Sequence, residues 1–210
     1  MNKKLLLVAL LLVATVISAS AQRPRPPRPP GFVNSPKAQK LTGDISVLKD
    51  QKEVNLVLDF SDILVNGKTE EKFIADETKR KNEAGEEKWL EEWNEKLRSD
   101  AYALLKKELN YKVSEKYFMA GEFAEAEYTI IVKVKEITTG SFMPISRPSA
   151  VRAEVSFIET GETTPFETVE FKKSSHRFSS DTPNFIGRVA MSFGSLGVDI
   201  GETINKALKK

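Results

Sequence analysis

Two stretches of this chain alternate apolar and polar residues with a period of two, and one follows closely on the other. Tyr128, Ile130, Val132 and Val134 alternate with Thr129, Ile131, Lys133 and Lys135. Val151, Ala153, Val155 and Phe157 alternate with Arg152, Glu154 and Ser156. Alternation of this kind gives a pleated strand one apolar face. Two such strands in succession predict an antiparallel sheet, whose apolar face another layer must cover. Val54, Leu56, Leu58 and Phe60 predict an earlier core strand, after a loop over 34–50 with one short edge strand. Phe166 to Phe171 predicts a hairpin partner after the turn at Gly161-Glu162. Tyr111, Val113, Glu115 and Tyr117 read as a further strand.

The covering layer is read from a different period. Asn66-Gly67 is a turn, and Thr69 followed by Glu70 and Glu71 is a helix start, with a hydroxyl cap and acids in the first turn. That helix becomes highly charged and is broken at Gly85. The next places Trp89, Trp93, Leu97, Ala101 and Leu104 on one side, with Leu90 and Leu105 at its edge. At this spacing the two Trp residues read as core rather than as a sugar-binding platform. A long closing helix, about 184–208, carries the stripe Phe185, Val189, Phe193, Leu196, Ile200, Ile204 and Leu208. Beside it runs a second stripe of small residues: Gly187, Ala190, Gly194, Gly197 and Gly201. Each Gly costs up to about 1 kcal/mol of helix propensity, so the stripe calls for a close neighbour. That neighbour is either the sheet or a second chain, which makes Gly194, Gly197 and Gly201 a candidate route to a homo-oligomer.

The order β-α-α-β-β-β-β-α describes an α+β domain: a mostly antiparallel sheet of four to five strands with helices packed on one face. Residues 53–210 form this single domain. No cysteine is present, so no disulfide, thiol nucleophile or Cys-based zinc site is available to it.

Ahead of the domain the chain is of another kind. Lys3 and Lys4, the apolar run Leu5–Ile17 and Ala19-Ser20-Ala21 make a secretory signal peptide over 1–21, too short for a membrane span. The chain is expected to be exported, periplasmic or secreted, with no stable membrane span after cleavage. Residues 22–52 read as a basic, Pro-rich tail and linker. RPRPPRPP favours polyproline II and reaches roughly 25 Å. Residues 22–40 hold five basic side chains and no acid, whereas 41–210 carry 25 basic against 30 acidic, a net charge of −5. An acidic body makes nucleic acid a poor partner. The tail, through Arg23, Arg25 and Arg28, is read as a stiff spacer, as a contact for an anionic envelope surface or for the protein's own acidic face, or as a ligand for a proline-binding groove.

Chemistry leaves little trace. His176 is the only histidine. It stands in Ser174-Ser175-His176 with Asp181 beyond, which is no triad by sequence position. It reads as a surface residue in the loop after the last strand. Glu122, Glu125 and Glu127, or Asp59 and Asp62, match no calcium loop. No catalytic residue, metal or cofactor is assigned. One stretch stands out as surface: Thr138–Ser149 is long for a hairpin and carries Phe142, Met143, Ile145 and Arg147. Such a loop either binds a partner or folds back over the core.

The strand ending in Asp59-Phe60-Ser61, then VNGKTEEKFIA, the Trp-bearing helix, TIIVKVKEITTG and AVRAEVSFIETG together resemble uncharacterised, signal-peptide-bearing envelope proteins of Gram-negative bacteria. The resemblance covers about 53–208. The layout is also similar to the N-terminal domain of the Tol translocation protein. The resemblance implies a non-enzymatic binding or assembly module of the envelope, acting on an envelope protein or an anionic envelope polymer. Two other expectations stand beside it: a carboxylate-based extracellular hydrolase of glycans, with two acids facing each other across a cleft, and a self-associating structural subunit.

Overall fold

The computed structural model describes residues 39–83, 88–141, 147–176 and 185–209. Its strands are β1 (Glu53–Asp59), β2 (Leu64–Val65), β3 (Lys68–Thr69), β4 (Met119–Gly121), β5 (Tyr128–Thr138), β6 (Ser149–Glu159) and β7 (Glu167–His176). Helix α1 is Glu70–Glu83. Helix α2 runs as Trp89–Glu91, a π turn at Glu92–Lys96, and Leu97–Val113. Helix α3 is Phe185–Leu208.

The class is α+β, but the sheet is mixed where a mostly antiparallel one of four to five strands was expected. Seven strands join in it. β5, β6 and β7 are antiparallel neighbours, whereas β1 runs parallel to both β4 and β5. The reason lies in the connection. The chain leaves β1 through two helices before it returns, and a helical crossover brings it back in the same direction. The short β2–β3 hairpin completes the sheet, with β2 parallel to the end of β5.

The alternation read in β5 and β6 sets their buried faces: Ile130, Val132 and Val134 pair with Phe157, Val155 and Ala153, all buried. A bulge at Lys135 then shifts the register, so that Ile137 and not Glu136 turns inward. Arg152, the partner of Glu136 just past that bulge, lies beside a second one: β7 shifts register between Phe171, opposite Ala153, and Ser174, opposite Val151.

In the segment expected as a strand from Tyr111, Tyr111 and Val113 are the end of α2, and Glu115 and Tyr117 lie in the turn that follows it. Leu97, Ala101, Leu105, Leu109 and Val113 form one i,i+4 row of buried residues, and burial of that row prevails over the local period of two. β4 comes directly after this helix. Asn110 on α2 brackets it: its amide donates to Ala120 O at 2.7 Å, and its oxygen accepts from Ala120 N at 2.7 Å. An asparagine thus stands where a further strand would.

α2 and α3 lie side by side on the sheet's apolar face. Gly197 meets Leu105 and Leu109, Gly201 meets Lys112, and Asn205 donates to Lys112 O at 2.6 Å. Contacts that advance together along both helices mean that they run parallel. The stripe expected on α3 is buried at Val189, Phe193, Leu196, Ile200, Ile204 and Leu208. Within the small-residue stripe, Gly197 and Gly201 face α2 of the same chain. That corrects the expected route to a homo-oligomer through Gly194, Gly197 and Gly201: all three are buried, and Gly197 and Gly201 are spent on an internal helix pair.

Residues 39–50 cross the molecule as a strap. Within the stretch expected as tail and linker, Ile45 and Leu48, around a single 3-10 turn at Ser46–Leu48, are buried in the core.

Candidate functional site

The base of the β5–β6 loop is built from three directions. Gly140 has φ +72°, a conformation that favours glycine. A Cβ there would lie 2.6 Å from Arg147 O and 2.7 Å from Ser149 N. Directly after it, Ser141 N donates to Arg147 O at 3.0 Å and Arg147 N returns a bond to Ser141 O at 2.8 Å. The loop is therefore clasped at its neck. From one side Asn66, at φ 51° in the Asn-Gly turn between β2 and β3, donates its backbone N–H to Ile137 O. Its side chain exchanges two bonds with Thr139, at 2.9 and 3.0 Å. From the other side the buried Ser149 hydroxyl donates to Arg188 O on α3 at 2.7 Å and lies 2.5 Å from Ser192 Oγ. Burial lowers the Arg188 guanidinium below its ordinary pKa.

Of the four loop residues singled out in the sequence, Arg147 is described and exposed. Phe142, Met143 and Ile145 lie outside the described residues, as do Arg23, Arg25, Arg28 and Asp181. His176 is the last residue of β7, opposite Ser149, and not in a loop beyond the strand. The hydrogen-bonded ladder runs five residues past Phe171, where the alternation stopped.

A second surface lies at the far end of α3. Gln39 N donates to Thr203 Oγ1 at 2.9 Å, and that hydroxyl donates to Asp199 O at 2.8 Å. Asp199 in turn accepts from the buried Ser174 hydroxyl at 2.6 Å. Further along the strap, Glu167 accepts from Gly43 N and from Thr168 N. Between the strap and α3 is an open cavity of about 310 Å³, lined by residues 39–46, Lys49, Lys206 and Ala207. Lys40, Lys49 and Lys206 ring it and are exposed. Asp44 is the acid among the lining residues. The backbone and then the hydroxyl of Ser46 hold its carboxyl below the ordinary aspartate range. Nothing in the sequence spacing of Lys40, Lys49 and Lys206 announces this meeting.

The aromatic cluster is core. Trp89 is 5% and Trp93 0% exposed, and both pack on Phe73, as the helical spacing predicted. Trp93 Nε1 donates to Glu70 Oε1 at 2.8 Å, and Arg98 binds the same carboxylate at 2.9 and 3.1 Å. Arg98 Nη1 also donates to Trp93 O, a carbonyl of the π turn, at 3.2 Å. The buried carboxylates Glu108, Glu167 and Asp199 sit on α2, β7 and α3 respectively. Asp59 accepts from Ser61 N and Oγ. Among the described residues no three His, Cys, Asp or Glu side chains gather as a metal site, and no helix is long and apolar enough to cross a membrane.

No protein-family model matches the chain, and no curated protein matches it. Among solved structures it is similar to the PelC dodecamer from Paraburkholderia phytofirmans, crystallised in space group P6. Identity there is 10%, 77% of this chain and 94% of that chain are covered, and the TM-score is 0.40. It is also similar to a point-substituted form of that dodecamer in space group C2, at 10% identity, with 75% and 95% covered and a TM-score of 0.32.

Proposed function

We propose that the protein is an exported, non-enzymatic contact module of the cell envelope, and that it holds a protein partner at the β5–β6 loop. The observation that carries this reading is the clasp at the loop's neck. Ser141 and Arg147 exchange both backbone hydrogen bonds, beside a Gly140 whose conformation and surroundings admit no side chain. A loop that must present residues to a partner gains from such fixing, because the ordering entropy is met in folding and not again in binding. Arg147 stands exposed at that neck. Phe142, Met143 and Ile145, placed beside it by the sequence, supply the apolar part of the contact. Export rests on the basic, apolar and small-residue pattern of 1–21.

Site-specific photo-crosslinking in envelope preparations tests this. A crosslinker at position 147 should capture one discrete protein that a crosslinker at the exposed Val57 on the sheet does not. Phe142→Ala with Met143→Ala should abolish that capture. Equal capture from 147 and 57, or capture unaffected by the double substitution, would remove the reading.

A further inference from the structure

The sheet ends differently on its two sides. On one, the Asn110 side chain fills the outer edge of β4, bonding both the N–H and the carbonyl of Ala120, and β3 is two residues long. On the other, β7 pairs with β6 alone and runs for ten residues. Its outward groups follow from the ladder. Phe157 O accepts from Phe166 N, so this carbonyl faces β7, and by alternation so do those of Val155 and Ala153. Their partners Val169 and Phe171 turn their backbone groups to β6. Those of Thr168, Glu170 and Lys172 therefore point out of the sheet. Thr168 N donates to Glu167 Oε1 of the same strand. Among the described residues nothing meets the outward backbone of Glu170 and Lys172.

The side chains at these two positions are mismatched as well. On the open face of the sheet the lysines and arginine of β5 and β6 are paired: Lys133 with Asp62, Lys135 with Glu154, and Arg152 with Glu136. Glu170 and Lys172 are exposed, and neither forms an ion pair with a described residue. Each also stands beside its own sign. Glu170 is directly opposite Glu154, and Lys172 opens the bulge beside Arg152. Like charges facing each other across a ladder are destabilising.

We infer that β7 pairs antiparallel with β7 of a second copy, about a twofold axis at Phe171. In that register Glu170 lies opposite the partner's Lys172, and Lys172 opposite the partner's Glu170. Both are positions whose backbone groups point outward, so the open N–H and carbonyl groups and the two charges are matched together. Many strands could answer the backbone. A strand that also answers the charges carries a lysine and a glutamate two residues apart in reversed order, and β7 run antiparallel is such a strand. A twofold axis at Glu170 would instead set that acid against itself. The strap at Glu167 and the bulge after Lys172 confine the pairing to a short stretch, so the association is weak and depends on concentration. It is independent of the loop contact. Arg147 precedes Glu154, the neighbour of Glu170, by roughly 20 Å along the direction of β6, so failure of either reading leaves the other intact.

Sedimentation equilibrium of the purified protein over a range of concentrations tests it. A monomer–dimer equilibrium is expected. Glu170→Lys and Lys172→Glu each bring like charges together twice in the dimer, and each should raise the dissociation constant about tenfold. An equimolar mixture of these two variants should associate more tightly than either alone, because opposite charges then meet at both positions. Glu170→Pro removes an N–H that β6 does not use, so it should keep the fold and abolish the dimer. Far-UV circular dichroism checks the fold of each variant. Should the proline variant unfold, the mixture of the two charge variants decides. A monomer at every concentration up to the solubility limit would overturn the proposal. So would a dimer that neither the proline nor the charge variants weaken, and so would a mixture that associates no better than its components.

Discussion

Gly197 of α3 lies against Leu105 of α2 so closely that a Cβ added to it would sit 2.4 Å from the Leu105 carbonyl oxygen. The atom it would strike is backbone, and Leu109 N follows at 3.1 Å. A rotamer change cannot relieve such a clash; the two helices would have to separate.

Gly197→Ala is accordingly expected to destabilise the protein. Overpacking of this kind costs about 1–3 kcal/mol, against a helix-propensity gain of at most about 1 kcal/mol. Urea unfolding should show a lower midpoint at an unchanged slope. A midpoint that rises would mean that the helices are not in contact here.

Glu167 ties the strap to the sheet. Its buried carboxylate accepts from Gly43 N, and Thr42 Oγ1 lies 3.5 Å from its other oxygen. Glu167→Ala leaves the Gly43 N–H without that acceptor, at a cost of roughly 1–3 kcal/mol. Amide exchange at Gly43 should accelerate well ahead of exchange in β5 and β6. Unchanged protection at Gly43 would show that the strap is held by the burial of Ile45 and Leu48 and by the Gln39–Thr203 bond, without Glu167.

The Glu70–Arg98–Trp93 group closes the helical entrance to the core. Arg98 holds the Glu70 carboxylate, the Trp93 carbonyl of the π turn, and the face of Phe60 at 5.1 Å. Arg98→Met keeps the stem and deletes the donors. Hydrogen bonds to a charged partner contribute about 1.5–3 kcal/mol, discounted here toward the lower figure because Arg98 is one-third exposed. Tryptophan fluorescence should shift as Glu70 is released from its second partner. A spectrum identical to the parent's would refute the coupling.

Asp44 supplies a pH dependence. Its folded-state pKa lies below the unfolded value because Ser46 donates to it from backbone and hydroxyl. Its contribution to stability is therefore fully present above the ordinary aspartate value and is lost as pH falls through the lower, folded one. Carboxyl-carbon NMR should find the Asp44 midpoint depressed, and Ser46→Ala should move it upward. The same midpoint in both proteins would remove the hydroxyl's part in it.

Sequence and tertiary structure divide this protein between them along a physical line. Where burial follows a local period, the sequence alone determined the outcome: the inward faces of β5 and β6, the stripe of α3 from Val189 to Leu208, the Trp89 and Trp93 core, and the Thr69 cap, whose hydroxyl accepts from Lys72 N at 3.4 Å. Each depends on residues a few positions apart. Whatever depends on residues far apart in the chain was decided only by folding. The parallel pairing of β1 with β5 comes from the crossover between them. Val113 ends a helix and not a strand because the buried row along α2 extends to it. Gly197 and Gly201 of α3 face Leu105, Leu109 and Lys112 of the same chain. Neither candidate surface is written in any one segment: Asn66 reaches Thr139, and Lys40 and Lys49 meet Lys206, across separations that no period connects. Local periodicity records which side of an element avoids water, and it carries no information about which distant element will come to lie there.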